Sequence, residues 1–187
     1  MRTFTAIPLR LALVAAATLC AACADHPPSA PSRPNGIAAA EANRQVDETF
    51  TPDLQEALAT MRAATAKYHD IQNALNDGFA FRVPCGAPGE GDEPVGAIYT
   101  KPTHVRDGKI DPALPDGLIY EPTPDGPRLV GVELLMPYAL WPSAEPPTFV
   151  GTPFMREDEP HAFALHVWIW LNNPNGMFAE SNPRVTC

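Results

Sequence analysis

The chain has 187 residues, of which 45% are hydrophobic and 19% are charged, so it is long enough and apolar enough for one domain with a substantial core. Its 22 acidic residues outnumber its 13 basic residues, the formal net charge is −9, and the sequence contains no basic cluster. This charge balance argues against nucleic acid as a partner.

Residues 1–23 have the pattern of a secretory signal peptide. Arg2 and Arg10 lie at the start, and the apolar run LALVAAATLCAA that follows Arg10 ends in small residues. The run is too short to span a bilayer as a stable helix. We therefore predict an exported protein on the periplasmic side of a bacterial membrane.

The residues around Cys23 allow two routes of signal removal. The sequence CAAC, residues 20–23, is similar to a lipobox, which would place a lipid on Cys23 and tether the chain to the membrane. The alternative is ordinary cleavage after Ala24, where Ala22-Cys23-Ala24 satisfies the small-x-small rule. We predict the lipoprotein, because residues 24–46 form a Pro- and Ala-rich linker of the kind that a tether needs.

Residues 47–187 are predicted to form a single globular domain that begins with one long helix. Apolar residues recur there every three or four positions, which is typical of a helix with one buried stripe. The stripe consists of Leu54, Leu58, Met61, Ala64, Tyr68, Ile71 and Leu75. Thr51 is a suitable N-cap, Pro52 suits the first turn, and Gly78 marks the end of the helix.

Beyond Gly78 the chain consists of short β-type segments separated by prolines and by turn sequences such as TPDG and RDGK. The segments are FAFRV (79–83), VGAIYT (95–100), GLIYEP (117–122), RLVGVELLM (128–136), TFVGTPF (148–154) and FALHVWIWL (163–171). We therefore predict an α+β fold, in which one long N-terminal helix packs on an antiparallel sheet of about five or six strands that could curl into a half-barrel.

Two cysteines, Cys85 and Cys187, remain beyond the signal peptide. Two lone cysteines in an oxidising compartment usually pair, and this bridge would hold the C-terminus in place. The alternative, a reactive thiol or a metal ligand, has less support, because neither cysteine has a histidine or another cysteine at ligand spacing. We predict a Cys85–Cys187 disulfide.

Side chains alternate between the two faces of a strand, so position parity assigns residues to faces. In the last segment one face is purely aliphatic and aromatic, and the other carries His166, Trp168 and Trp170. In RLVGVELLM, Val130 belongs to a clean apolar face, and Glu133 lies on the opposite one. If both apolar faces pack on the helix, Glu133 and His166 share the other face, and neighbouring strands would bring them within reach.

Such a pair supports three kinds of site. A glutamate can orient a histidine as a general base. The two side chains can supply two ligands to a divalent metal ion, with His104 from a nearby loop as a third. They can also form a structural hydrogen bond in a pocket where Trp168 and Trp170 hold a small ligand, with Tyr99 as a further lining residue.

The segments YHDIQNALNDGF, LVGVELLMPYALW, LHVWIWLNNPNGMF and NPRVTC resemble those of a group of small exported bacterial proteins and lipoproteins. The resemblance covers residues from about 60 to 187 and implies no activity for this chain. The sequence also contains no G-x-S-x-G elbow, P-loop, dinucleotide fingerprint or H-E-x-x-H motif.

The leading hypothesis is an exported, membrane-tethered protein with a small-ligand or metal pocket on the face that Glu133 and His166 share. One alternative is an enzyme, either metal-assisted or using a Glu–His acid–base pair. The other is a structural or interaction protein of the cell envelope, in which the His/Trp face is filled by side chains. The residues favour a binding or structural role over catalysis.

Overall fold

The computed structural model describes residues 51–86 and 94–187. The predicted signal peptide, the lipid site at Cys23 and the linker over 24–46 lie outside these residues. In the part of the chain that is described, no helix has the length and apolar character needed to cross a membrane.

The first helix, α1, spans Pro52–Thr65 and continues as a 3-10 turn over Ala66–His69. The Thr51 hydroxyl accepts a hydrogen bond from the Leu54 N–H at 3.2 Å, so Thr51 is the N-cap that the sequence predicts. The helix begins well into the chain and is shorter than predicted. A separate short helix, α2, spans Ile71–Asn76.

The predicted helix is interrupted at Asp70, whose backbone is extended (φ −91°, ψ 109°) and whose carboxylate caps α2 by accepting from the Gln72 N–H at 2.9 Å. A local side-chain cap of this kind competes with continuation of the helix. The apolar stripe is confirmed at Leu54, Leu58, Met61 and Tyr68, which are buried. Ala64 is only half-buried, and the stripe is wrong at Leu75, which is 41% exposed.

The described residues form one six-stranded antiparallel sheet and a separate hairpin. The strands are β1 (Ala80–Val83), β2 (Ala97–Thr100), β3 (Gly117–Glu121), β4 (Arg128–Pro137), β5 (Thr148–Phe149), β6 (Thr152–Pro153), β7 (Met155–Glu157) and β8 (Ala162–Val167). The order in the sheet is β1-β2-β3-β4-β8-β7, and β5 pairs with β6. A short helix, α3 (Pro102–Val105), follows β2. The predicted α+β class and the antiparallel sheet of about six strands are confirmed. The predicted strand TFVGTPF instead forms the separate β5–β6 hairpin, and β7, which was not predicted, is the sixth strand of the sheet.

The sheet has a helix face and a second face. On the helix face, α1 contributes to the main core cluster, together with residues such as Val132 and Leu165. The Tyr120 hydroxyl also donates to the Tyr68 carbonyl at 2.7 Å. The second face carries a smaller apolar cluster, which consists of Val95, Ile98, Ile119, Val130, Trp168 and Val185.

Val130 lies on the second face, so the predicted position of this residue is wrong. Ile119 pairs with Gly131 and Tyr120 pairs with Leu129, which leaves Val130 as the extra residue of a β-bulge. A bulge adds one residue to a strand and therefore reverses the parity on one side of it. Downstream of the bulge, the predicted assignment holds.

The Cys85–Cys187 disulfide is present, with the two Cα atoms 5.4 Å apart and 102 positions apart in sequence. It joins the segment after β1 to the last residue of the chain. The prediction from the cysteine count is confirmed, and the C-terminus is fixed beside the second face.

Candidate functional site

Glu133 and His166 are directly opposite each other on the neighbouring strands β4 and β8. His166 Nε2 lies 3.7 Å from Glu133 Oε1, and the two residues are 7% and 3% exposed. The prediction that these two side chains meet required the two strands to be neighbours and both residues to lie on the second face. Both requirements are met. An imidazole and a carboxylate are held together in a buried part of the sheet.

The space for the Glu133 carboxylate comes from Gly117, its direct partner on β3. A Cβ atom at Gly117 would lie 2.7 Å from Glu133 Oε2 and 2.9 Å from Glu133 Cβ, both closer than van der Waals contact allows. A larger residue at position 117 would therefore clash with Glu133, so glycine is required there. This role of Gly117 could not be predicted from the sequence, because it depends on the pairing of β3 with β4.

Arg82 is the third charged residue of the site. Its Nη1 lies 3.4 Å and 3.3 Å from the two Glu133 carboxylate oxygens, and its side chain is 25% exposed. Arg82 stands where the register of β1 against β2 shifts between Phe81 and Val83. The irregularity explains why parity could not place it. The available signal was a single cation in the otherwise apolar segment FAFRV, which needs a partner.

The orientation of His166 is set by the backbone near the C-terminus. Its Nδ1 lies 2.6 Å from the Glu180 carbonyl oxygen, which can only accept, so Nδ1 carries the proton and Nε2 faces Glu133. Burial by itself lowers the pKa of His166, but the Glu133 carboxylate outweighs it, and the Glu180 carbonyl and Glu157 add to that effect. The net result is a raised pKa, which favours the imidazolium.

Two further carboxyl groups near this cluster have raised pKa values. Burial raises the pKa of Asp116 to about 7, although the Leu135 N–H that donates to Asp116 Oδ2 at 2.8 Å opposes the change. The charge of Glu133 raises it further. Burial, followed by the charge of Glu180, also raises the pKa of Glu157. Of these two groups, Asp116 therefore changes charge near neutral pH.

Trp168 lies beside His166 on the second face, with the ring centroids 6.2 Å apart. Its Nε1 donates to the Ala179 carbonyl at 2.7 Å. Gly131 leaves room for the indole, because a Cβ atom there would lie 3.3 Å from Trp168 Cε3. The predicted neighbourhood of Trp168 and His166 is correct.

Trp170 is not on the face that carries His166, so this part of the prediction is wrong. Strand β8 ends at Val167, and alternation no longer applies beyond it. The Trp170 ring packs edge-on against His69 with centroids 4.4 Å apart, and its Nε1 donates to Thr65 Oγ1 at 3.1 Å. Trp170 therefore attaches the end of β8 to the helix.

Tyr99 and His104 also lie away from the Glu133–His166 pair. The Tyr99 ring packs on Tyr120 in the helix-face core at a centroid distance of 5.5 Å. His104 Nδ1 lies 2.9 Å from the Pro115 carbonyl oxygen. Over residues 51–86 and 94–187, no three His, Cys, Asp or Glu side chains come together as metal ligands would. The predicted metal set of His166, Glu133 and His104 is not assembled.

No family model matches the chain, and neither curated proteins nor solved structures provide a match. The resemblance to small exported bacterial proteins therefore stays a prediction. The geometry of the second face is the basis for a functional proposal.

Proposed function

We propose that this chain is an exported protein, tethered to a membrane by a lipid on Cys23, that binds a small ligand at the cluster of Arg82, Glu133 and His166. The observation that carries the proposal is the direct cross-strand pairing of Glu133 with His166, with Arg82 in contact with the same carboxylate. The half-barrel curl expected from the sequence belongs to this proposal, since it would make the second face concave.

The charged groups of the cluster are better explained by ligand recognition than by a contribution to the stability of the fold. Apolar residues of similar size often replace a buried ion pair without loss of stability, so stability alone gives little reason to keep three charged groups together on one face of the sheet. Charged groups in such a position can bind a polar ligand.

Arg82 is the residue best placed to meet a ligand from solvent. Both of its described hydrogen bonds to Glu133 come from Nη1. A guanidinium carries further N–H donors on Nη2 and Nε, which suit a carboxylate or another planar acceptor. A quarter of the side chain is exposed, so a ligand can reach it without unfolding the sheet.

A thermal-shift screen tests the proposal. The exported chain is incubated with small carboxylates, amino acids and monosaccharides, and compared with Arg82→Gln and His166→Gln. A ligand at 100 times its Kd adds about 2.7 kcal/mol of stability, which raises the Tm by several degrees. We expect such a shift in the unmodified chain, its loss in both variants, and its retention in Arg106→Gln, which changes an exposed arginine. If no compound raises the Tm, or if Arg82→Gln keeps the full shift, the proposal is wrong.

A divalent metal is the less supported form of the same proposal. Glu133 and His166 would supply two ligands, and a stable protein site generally needs a third. Metal content after expression in the periplasm, measured for the unmodified chain and for His166→Ala, decides this point. A stoichiometric ion that is lost in His166→Ala supports a metal ligand. Its absence from both proteins removes the metal from the proposal.

An acid–base enzyme is a second candidate, favoured by the fixed tautomer of His166. With Nδ1 held by the Glu180 carbonyl, Nε2 is directed toward Glu133, as in a histidine prepared for proton transfer. The raised pKa of His166 favours the imidazolium, which is the form that acts as a general acid. A structural role in the envelope is the other alternative. It is favoured by the coverage of the Trp168 indole N–H by the Ala179 carbonyl, and it predicts no ligand in the screen.

A further inference from the structure

The last part of the chain, residues 172–187, crosses the second face without forming a helix or a strand. We name it the C-terminal strap. Two of its carbonyls accept hydrogen bonds from side chains of the site: Ala179 from Trp168 at 2.7 Å, and Glu180 from His166 at 2.6 Å. The strap therefore covers His166, one of the residues proposed to bind a ligand, and its neighbour Trp168.

The end of the strap is fixed by three contacts of different strength. Val185 is 4% exposed and belongs to the apolar cluster of the second face. The Thr186 N–H donates to Glu121 Oε1 at 2.9 Å. The final residue, Cys187, is joined to Cys85 by the disulfide. The disulfide is the covalent member of this set.

The strap also packs through Met177 and Phe178 and buries Asn182, but it has no ladder of backbone hydrogen bonds, and a segment without a ladder opens locally at lower cost than a strand. A covalent bond at its end suppresses such opening, because the freed end can no longer move away from the sheet. Cys187 is exposed and Cys85 is half-buried, so a reductant in solution can reach the bond.

We propose that the Cys85–Cys187 disulfide is a latch that keeps the C-terminal strap closed over His166, and that a dithiol opens it. One thiolate of the dithiol attacks a cysteine sulfur and breaks the S–S bond, and its second thiol resolves the mixed disulfide. Both cysteines end as thiols, and the dithiol ends as a disulfide. As a means of regulation the latch rests on the proposed function, whereas the opening of the strap can be measured without a ligand.

Chemical labelling of histidine tests the latch. The folded exported chain is treated with diethyl pyrocarbonate, with and without prior reduction by dithiothreitol, and labelling rates are read peptide by peptide by mass spectrometry. His69, which is exposed on the helix side, serves as the internal control. We expect the His166 rate to rise at least about tenfold on reduction, a modest share of the loop-closure effect of a long-range disulfide, with no change at His69.

The variant Cys187→Ser should label at His166 like the reduced protein and should not respond to dithiothreitol. An equal His166 rate in the oxidised and reduced folded protein would overturn the latch. A rise at all the described histidines together with loss of the circular dichroism signal would also overturn it, since the bond would then hold the whole fold. A positive result with an empty ligand screen would leave the latch in place and remove only the proposed ligand.

Discussion

The most constrained residue of the second face is Glu133, a buried carboxylate between a guanidinium and an imidazole. Each of three neighbouring residues has a property that is explained by the Glu133 carboxylate. Gly117 gives it space, Arg82 neutralises it, and His166 has a raised pKa because of it. A change at this one position should therefore alter both stability and titration.

Glu133→Gln should lower the free energy of unfolding by about 2–4 kcal/mol, because it leaves a buried imidazole and a partly buried guanidinium without their counter-ion. It should also lower the pKa of His166, since burial is then no longer opposed by the carboxylate. Urea unfolding and an NMR titration measure the two effects. The exposed Glu145→Gln is the control and should change neither. An unchanged His166 pKa in Glu133→Gln would contradict the assignment.

The pH dependence of stability should be controlled in part by Asp116. Its pKa is about 7 in the folded chain, against 3.8 as its ordinary value, so the folded state binds the proton more tightly. This contribution to stability is complete at pH values below 3.8 and is lost as the pH rises through about 7. The raised pKa of His166 acts in the same direction at pH values above its ordinary 6.5.

Asp116→Asn should therefore be more stable than the unmodified chain at pH 8 and close to it at acidic pH. The amide oxygen can still accept from the Leu135 N–H, and no buried charge forms at high pH. Urea unfolding at pH 8 and at a pH just below 3.8 provides the comparison. A variant that is less stable at both pH values by the same amount would show that ionisation of Asp116 is not the cause.

At the scale of elements, the hairpin of β5 and β6 has an unfavourable residue at its tip. Val150 and Gly151 both have positive φ, 47° and 85°, which matches a two-residue turn that favours Asn-Gly. A β-branched residue is disfavoured in this region.

Val150→Asn should raise the free energy of unfolding by roughly 1 kcal/mol, because asparagine adopts a positive φ at lower cost. Val150→Ala is the matched control, since alanine removes the branch but lacks the local hydrogen bonding of asparagine. Thermal unfolding should rank Asn above Ala and Ala above Val. The opposite order would mean that the partly exposed Val150 side chain makes contacts that outweigh the backbone strain.

At the scale of the whole molecule, the disulfide joins two segments that are distant in sequence and ties the C-terminal strap to the edge of the sheet beside β1. A bridge between cysteines 102 positions apart in sequence removes much of the freedom of the unfolded chain. The double variant Cys85→Ser/Cys187→Ser should lose about 2–5 kcal/mol of stability while it stays folded at 25 °C. Urea unfolding with and without dithiothreitol measures the loss, and the double variant should not respond to the reductant. Equal stability of the oxidised and reduced unmodified chain would contradict this prediction.

Features that depend on neighbouring residues or on composition were predictable from the amino-acid sequence. The start of α1 at its Thr51 cap, five of the six strands of the sheet and the cysteine pairing follow from local hydrogen bonding, hydrophobic patterning and the count of cysteines. The shared face of Glu133 and His166 followed from alternation, which holds as long as a strand is regular. These are short-range rules, so a sequence can express them directly.

Features that depend on irregular strands or on contacts distant in sequence could be identified only from the folded chain. Val130 lies on the second face because of the bulge, and Trp170 lies on the helix side because β8 ends before it. Gly117 is a partner of Glu133 because β3 pairs with β4. Arg82 contacts Glu133, although the two residues are 51 positions apart in sequence. Alternation fails where one residue is added to a strand or where the strand stops, and strand order depends on the packing of the whole chain.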